Sequence, residues 1–227
     1  MRIGLVLAAA GLGTRLKAAE PKAFLRLLDQ SLLDRALAPF LLRDDLAAAA
    51  VAVPDPAVAA DLLRHMDPRV RFVKGGEDRQ ASVQAGLAVL AEVDLILVHD
   101  AARPLVEDAV ISAVIEAAAK HGAAVPALPI HDTVKEIAPD GRVQGTPPRA
   151  ALVLAQTPQG FRADLLRRAH AEAAAAGVRG TDDASLVERL GAPVVVVPGR
   201  RSNLKITTRE DLAIAEAILQ ARAQPPK

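Results

Sequence analysis

The chain has 227 residues, of which 51% are hydrophobic, and a formal net charge of +1 at pH 7. This length suits one α/β domain with a sizeable core, and the small net charge excludes a global basic field for nucleic acid, so any anion recognition must be local. The lack of cysteine excludes disulfides and thiolate metal sites, and the lack of Trp and Tyr disfavours a base-stacking platform.

The chain shows no signal for a membrane or for export. No apolar run approaches the roughly 20 residues of a membrane span, and the chain enters a strand at once, without a signal-peptide pattern. We therefore expect no membrane partner and a cytoplasmic location.

The stretch Leu5–Lys22, LVLAAAGLGTRLKAAEPK, reads as a buried strand that opens into a glycine-containing loop. Small residues in the loop, including Ala9, Ala10, Gly11 and Gly13, allow a ligand to approach the backbone, whose N–H groups can cradle a phosphate. Arg15 and Lys22 follow and supply the positive charge that a triphosphate needs.

Three known loop types resemble this pattern. No Gly-Lys pair follows Gly13 at the spacing of a Walker loop, and Leu16 replaces the third glycine of a dinucleotide fingerprint. The G-x-G-T-R…P-K loop of nucleotidyltransferases fits. A simple strand-to-helix turn with two surface cations remains the alternative, although Arg15 and Lys22 favour the nucleotide interpretation.

Strands and helices then alternate through the first half of the chain. Helices are predicted over 31–42, 57–66, 79–91 and 107–120, and strands over 48–53, 70–73, 94–98 and 123–128, with Ser31 as an N-cap. This order predicts an α/β fold with an open, mostly parallel sheet and helices on both faces. Ligands of such sheets bind beyond the carboxyl ends of the strands.

The segment 132–149 lacks a helical stripe and predicts a β-hairpin, with strands 133–137 and 142–146 around Pro139-Asp140-Gly141. Its polar residues predict a projecting arm over 133–148, within a single domain of residues 1–227. Exposed strands need cover, so we expect a homodimer formed through the arm; a mobile surface hairpin is the alternative.

The chain then returns to the core. Strands are predicted over 152–155, 193–197 and 203–207, and helices over 162–176, 181–190 and 208–222. Thr181 or Asp182 is the expected N-cap of the second helix, and Thr208 with Asp211 forms a capping box on the last.

Two loops that follow strands carry candidate binding residues. In KGGEDRQAS, Gly75 and Gly76 permit close approach to a base or ribose and Ser82 could donate to a base, although a capped turn with Arg79 in solvent is the simpler interpretation. In HDAARP, the carboxylate of Asp100 suits Mg²⁺ or sugar hydroxyls. An Asp100–Arg103 ion pair is the alternative there, and His99 is expected to be structural.

Cations outside the nucleotide loop would be needed for a second, phosphate-bearing substrate. Arg149, next to the arm, and Lys205, on the predicted strand 203–207, are the candidates, and Thr133 and Thr157 bracket the arm. For each cation alone, a solvated surface charge is the alternative. Metal-spaced histidine pairs and a G-x-S-x-G elbow are absent, which leaves zinc hydrolysis and serine acyl transfer with little support.

Together the motifs AAAGLGTR…PK, GGEDRQAS, HDAARP, HDTVK, QTPQ, TDDAS and SNLKIT resemble the 2-C-methyl-D-erythritol 4-phosphate cytidylyltransferase family of the non-mevalonate route to isoprenoids. The resemblance runs in order over nearly the whole chain. It implies a Rossmann-like fold with an interlocking arm, and the Mg²⁺-dependent reaction of CTP with methylerythritol phosphate to give CDP-methylerythritol and pyrophosphate.

The resemblance also implies roles for the candidate residues. Arg15 and Lys22 would stabilise the reacting α-phosphate, and the small residues and Ser82 would hold the cytidine part. Asp100 and Arg103 would lie between ribose, metal and substrate, and the substrate phosphate would be placed by Arg149, Thr157 and Lys205. Thr133 and Arg149, at the arm, could be offered across the dimer. Departures from the family pattern include Ala23-Phe24 where Gln-Tyr is usual and His131 where Arg is frequent.

Three alternatives to this function remain at the level of sequence. A ribitol 5-phosphate cytidylyltransferase would share the fold and the chemistry. A nucleotide-binding scaffold without turnover would bind CTP and release no pyrophosphate, and an NAD oxidoreductase would ignore CTP.

Overall fold

The structure is a computed structural model that describes residues 1–11, 21–62 and 67–223. Gly13, Arg15 and the last residues of the predicted helix 57–66 lie outside the described residues.

The strands are β1 (Ile3–Ala8), β2 (Arg26–Leu27), β3 (Gln30–Ser31), β4 (Leu46–Val53), β5 (Val70–Lys74), β6 (Leu95–Asp100), β7 (Ala123–Pro129), β8 (Glu136–Ile137), β9 (Val143–Gly145), β10 (Val153–Ala155), β11 (Gln159–Arg162) and β12 (Val195–Pro198). The α-helices are α1 (Leu32–Leu41), α2 (Pro56–Leu62), α3 (Arg79–Val89), α4 (Asp108–His121), α5 (Ala163–Ala175), α6 (Asp183–Arg189) and α7 (Arg209–Ala223), and short 3₁₀ helices span Lys22–Phe24 and Arg149–Ala151.

The main sheet has the strand order β5-β4-β1-β6-β11-β7-β10, and β12 also pairs with β7. β5, β4, β1 and β6 are mutually parallel, whereas β11 runs antiparallel to both β6 and β7. The expected open, mostly parallel sheet is therefore confirmed, with two antiparallel strands: β11 between β6 and β7, and β10 against β7.

Side chains alternate between the two faces along the central strands, and both sets are apolar, so helices pack on both faces of the sheet. Leu5 and Leu7 of β1 join an apolar cluster with α1 and α4. Val6, between them, joins a second cluster with α3, α5 and α6. A smaller cluster packs α7 against the β2–β3 hairpin. The helices on both faces fix the central strands and therefore the loops at their carboxyl ends.

Local capping explains where several helices begin. The Ser31 hydroxyl accepts from Asp34 N at 3.0 Å, and the Asp34 carboxylate accepts from Ser31 N at 3.3 Å, which forms a capping box at α1. Thr208 and Asp211 make the same reciprocal contacts at α7. Asp182 caps α6 by accepting from Ser185 N at 2.9 Å. The predicted caps are confirmed, with Asp182 chosen over Thr181.

Two expectations about strands were wrong or incomplete. Residues 203–207 form no strand and instead run as an irregular loop, held beside β6 by Ile206 N, which donates to Ala102 O at 2.8 Å. Strand β11 was not anticipated, because its four residues are broken by Gly160. The glycine is required there: a Cβ would lie 2.6 Å from Val114 Cγ1 of α4.

The hairpin predicted around Pro139-Asp140-Gly141 is present but shorter than expected, with Glu136–Ile137 paired antiparallel to Val143–Gly145. Gly141 adopts a positive φ of 84° at the turn. The hairpin forms a separate two-stranded sheet, and Ile137 and Val143 on it are 66% and 60% exposed. Among the described residues, no helix is long and apolar enough to cross a membrane.

Candidate active site

A cleft of about 390 Å³ opens at the carboxyl ends of β1, β5 and β6. This is the edge at which open parallel sheets bind ligands. Described residues from five separate segments line it: Ala8, Ala9, Ala10, Gly11, Lys22, Ala23, Gly76, Glu77, Asp78, Arg79, Ser82, Asp100, Ala101, Ala102 and Lys205. A larger hollow of about 720 Å³ lies elsewhere on the surface, between α1, α7 and the loop before α4, but its arginines are occupied by neighbouring groups of the protein.

Asp100, the last residue of β6, organises the cleft. Its Oδ1 accepts from Arg79 Nε at 2.9 Å and its Oδ2 from Lys205 Nζ at 2.7 Å. Burial opposes ionisation of this carboxyl, but Arg79 and Lys205 outweigh the burial and hold its pKa well below the usual range. Asp100 is therefore an ionised carboxylate that fixes two cations at the edge of the sheet.

Arg79 is a site residue that the sequence interpretation left in solvent. It begins α3, and besides Asp100 it pairs with Asp183, whose Oδ2 accepts from Arg79 Nη1 at 2.7 Å. Burial disfavours the charged guanidinium, yet the two carboxylates raise its pKa above the ordinary value. One signal could have found it: Arg79 opens a helix that directly follows the carboxyl end of a strand.

Lys205 reaches Asp100 from the loop 203–207 rather than from a strand. The loop is irregular, and the Ile206–Ala102 backbone bond brings it to the end of β6. Lys205 and Asp100 are thereby brought together from 105 positions apart in the sequence. The Asp100–Arg103 ion pair, which was the alternative interpretation of this loop, is not formed; Arg103 donates through Nη1 to Asn203 O at 2.7 Å.

His99 is structural, as expected. Thr157 Oγ1 accepts from Asp100 N at 3.1 Å and lies 2.9 Å from His99 Nδ1, while His99 Nε2 lies 3.1 Å from Arg103 O. A carbonyl can only accept, so Nε2 carries the proton and Nδ1 accepts from the Thr157 hydroxyl. The Thr157 proton is thereby committed to His99, and both side chains are buried.

Gly75 and Gly76 bring the loop after β5 close to its neighbours. A Cβ on Gly75 would lie 2.2 Å from Ala10 Cβ, so glycine allows the loops after β1 and β5 to touch; a Cβ on Gly76 would lie 2.4 Å from Ala81 Cβ. Ser82 Oγ donates to Asp78 O at 2.8 Å and accepts from Gly76 N at 3.1 Å. The hydroxyl proton of Ser82 is therefore used within the loop, so toward a ligand Ser82 can act only as a hydrogen-bond acceptor.

The remaining candidates divide into two groups. Ala9, Ala10, Gly11 and Lys22 line the cleft. Thr133, Arg103, Arg149 and Thr157 do not line it; Thr133 and Arg149 are exposed, and Arg149 Nη1 donates to His131 O. Gly13 and Arg15 lie outside the described residues.

The described residues of the cleft do not form a metal site from protein side chains alone. No group of three or more His, Cys, Asp or Glu side chains suited to a metal occurs in the parts of the chain that the structure describes. An ionised carboxylate has about four acceptor positions, so Asp100 can serve one hard cation besides its two N–H donors. Magnesium commonly binds through one or two carboxylates and the phosphates of a substrate, which is the arrangement that this donor set fits.

An open, mostly parallel sheet with a cleft at its carboxyl edge, lined by Lys22, Arg79 and Lys205, is typical of nucleotide-binding α/β enzymes. A sequence model of one family, described as 2-C-methyl-D-erythritol 4-phosphate cytidylyltransferase, matches residues 3–221. The chain belongs to this family.

Individual relatives agree over nearly the full length. The enzyme of that name from Acidobacterium capsulatum is 47% identical over 237 aligned residues, which cover 98% of this chain and 99% of the relative. The crystal structure of the enzyme from Thermus thermophilus matches with a TM-score of 0.80 and 40% identity, over 97% of this chain and 100% of that one. The Francisella tularensis structure matches with a TM-score of 0.84 and 30% identity, over 96% and 99%.

The burial of His99 predicts a pH dependence of stability. Burial lowers the pKa of His99 from 6.5 to about 4. Between these values the unfolded chain binds a proton that the folded protein does not, so stability rises with pH across this window. As the pH falls from 6.5 to about 4, up to roughly 3 kcal/mol of unfolding free energy is lost through this one group.

The free energy of unfolding, measured with urea at pH 7 and at pH 5, should therefore fall more between these pH values in the wild type than in His99→Gln. The glutamine amide keeps a donor for Arg103 O. His131→Gln, at an exposed position, is the matched control and should lose as much unfolding free energy between pH 7 and pH 5 as the wild type does. An equal slope in the wild type and His99→Gln would show that His99 titrates normally in the folded protein.

Proposed function

We propose that the cleft transfers a cytidylyl group from CTP to 2-C-methyl-D-erythritol 4-phosphate, giving CDP-methylerythritol and pyrophosphate. The observation that carries this proposal is the nearly full-length match to cytidylyltransferases of this name. The charges of the cleft agree with it, because both substrates are anions and the described cleft contains Lys22, Arg79 and Lys205.

The chemistry requires positioning more than acid–base catalysis. An oxygen of the methylerythritol phosphate attacks the α-phosphorus of CTP in line; the new P–O bond forms as the bond from the α-phosphorus to the bridging oxygen breaks, and pyrophosphate leaves with that oxygen. A phosphate monoester is largely ionised at pH 7, so the nucleophile needs no protein base. This agrees with the structural role of His99.

Positive side chains would stabilise the charge that develops in this reaction. Lys22 lines the cleft, and we assign it, with Arg15, to the α-phosphate and the departing pyrophosphate. Lys205, aligned by Asp100, is placed to receive the phosphate of the second substrate. We assign Arg149 and Thr133, at the two ends of the arm, to the same substrate. Arg103 and Thr157 would support its site from behind the cleft, Thr157 through Asp100 N and Arg103 through Asn203 O.

The cytidine part would occupy the small-residue side of the cleft. Ala9, Ala10 and Gly11 follow β1 and Gly76 follows β5, so residues from two loops line a common space, and Gly75 lets the two loops touch. Backbone donors and acceptors can recognise a pyrimidine edge without aromatic stacking. Gly13 and Ser82 would complete this part, with Ser82 accepting rather than donating while it holds Gly76.

A divalent cation, which this class of nucleotidyltransferase generally uses, fits the cleft as a companion of the triphosphate. We propose Mg²⁺ with Asp100 as its protein ligand, because Asp100 is the ionised, buried carboxylate of the cleft. Bound there, the ion would neutralise phosphate charge and favour departure of pyrophosphate.

We also propose that the arm forms a homodimer. The two-stranded hairpin exposes Ile137 and Val143, and the nearby edge strand β10 exposes Val153 and Leu154 at 48% and 54%. Exposed apolar edge strands attract a partner strand or surface. A second copy would bury both patches and would bring Thr133 and Arg149 beside another subunit's cleft.

An acceptor panel tests the reaction. The protein is incubated with CTP, Mg²⁺ and either methylerythritol phosphate, ribitol 5-phosphate or no acceptor, and pyrophosphate release is measured. We expect release only with methylerythritol phosphate, and a turnover number about 10²–10³ times lower in Lys22→Ala, which should still fold. Lys120→Ala, at an exposed position of α4, is the control and should keep full activity.

Each other outcome of the panel has a definite meaning. Pyrophosphate release with ribitol 5-phosphate alone would identify ribitol 5-phosphate as the second substrate. Binding of CTP without release for any acceptor would favour a nucleotide-binding scaffold. Full activity of Lys22→Ala would remove Lys22 from the reaction.

Sedimentation tests the dimer. We expect the wild type to sediment as a dimer at micromolar concentration and the double variant Ile137→Glu, Val143→Glu to sediment as a monomer, because charges would replace the apolar contact of the arm. Leu42→Glu, at an exposed apolar residue outside the arm, should remain dimeric. A monomeric wild type would contradict the proposal.

A further inference from the structure

A buried pair of polar side chains lies behind the cleft. Asp183, the first residue of α6, and His170 of α5 are 1% and 2% exposed. His170 Nε2 lies 2.9 Å from Asp183 Oδ1, and since a carboxylate oxygen accepts, Nε2 carries the proton and donates. The pair sits against the apolar cluster formed by α3, α5 and α6, where an ionised carboxylate needs partners to offset its desolvation.

The carboxylate of Asp183 points away from its own helix. The N-terminus of α6 is satisfied by other groups: Asp182 caps Ser185 N at 2.9 Å, and Gln159 bridges Asp182 at 2.7 Å and Ala184 N at 3.1 Å. The two oxygens of Asp183 instead receive His170 Nε2 and Arg79 Nη1. The Asp183 carboxylate therefore binds Arg79, and the hydrogen bond from His170 orients the carboxylate.

Arg79 connects this pair to the cleft. The guanidinium is planar and rigid, so fixing its Nη1 on Asp183 at 2.7 Å also fixes the direction in which Nε meets Asp100 at 2.9 Å. The result is a row of alternating charges, Lys205, Asp100, Arg79 and Asp183, ending on His170. Without the charge of Asp183, Arg79 would have Asp100 as its single anionic partner and would compete with Lys205 for it.

We propose that Asp183 and His170 are positioning residues for the transfer reaction, acting through Arg79 on Asp100 and so on Lys205. The inference rests on the proposed function, since its main readout is turnover. Neither residue lines the cleft among the residues that the structure describes, so neither is expected to touch the nucleotide. Loss of either should impair alignment in the transition state more than binding of CTP.

The first test compares two adjacent carboxylates. Asp183→Asn removes the charge that holds Arg79, and we expect its turnover number to fall about 10- to 100-fold while its KM for CTP changes less than about 3-fold. Asp182→Ala is the matched control: it removes the helix cap and the Gln159 contact but leaves Arg79 with Asp183. It should lower the melting temperature and keep the wild-type turnover number well below that temperature.

The second test uses His170. His170→Gln keeps an N–H donor for Asp183 and should retain near wild-type turnover, whereas His170→Leu removes the donor and should lower turnover in the same direction as Asp183→Asn. If Asp183→Asn does not fold, the comparison of the two His170 variants tests the proposal in its place. A purely structural role would instead make turnover follow melting temperature across all four variants.

Two further results would overturn the proposal: wild-type turnover in Asp183→Asn, or equal loss in Asp183→Asn and Asp182→Ala. The Nε–H resonance of Arg79 in the free protein gives a readout that does not depend on activity; it should shift in Asp183→Asn and stay in place in Asp182→Ala. If the wild type shows no turnover with CTP, the proposed function fails, and the resonance still decides whether Asp183 holds Arg79.

Discussion

The ionised carboxylate of Asp100 is the constraint on which the site depends. It is buried at the end of a central strand, where a lone charge would be costly, and Arg79 and Lys205 compensate for that burial at 2.9 and 2.7 Å. These three groups belong to β6, to the first turn of α3 and to the loop before α7. One carboxylate thereby holds together segments that the chain order keeps far apart.

The sheet makes this arrangement possible. Ala8 and Asp100 are paired in register at the ends of β1 and β6, so the loops that follow them start side by side. Gly75 lets the loop after β5 touch Ala10. Beneath Asp100, the Thr157 hydroxyl accepts from its backbone N–H and joins it to His99. The described part of the cleft is thus built on strand ends and short loops, which suits the proposed reaction, in which two anions would be held in line.

Much of the fold could be predicted because it rests on local patterns. The apolar strands, the alternation of strand and helix, and the caps at Ser31 and Thr208 are all short-range signals. Strand β11 escaped because four residues around Gly160 carry too weak a pattern, and its pairing is decided by the gap between β6 and β7. The loop 203–207 looked like a strand because its alternation of apolar and polar residues reflects one buried side, with Ile206 in the core.

The site divides in the same way. The small residues after β1 and the aspartate ending β6 could be found from sequence because ligands bind where strands end. Arg79 follows the same rule, since it opens the helix after β5, but nothing local marked it as buried. The roles of Asp183 and His170 could not be found, because Asp183 meets Arg79 across 104 positions and only the tertiary structure brings these side chains together. The sequence explained Asp182 as a helix cap, which it is, and assigned no role to its neighbour Asp183.

The most direct test of the role of Asp100 is the turnover number of Asp100→Asn at saturating CTP and methylerythritol phosphate. The substitution keeps the shape of the side chain and makes the cleft more positive by one charge, which by attraction alone would favour both anionic substrates. If Asp100 aligns Arg79 and Lys205, turnover should nevertheless fall about 10²–10³-fold. A turnover number within about twofold of the wild type would contradict that role.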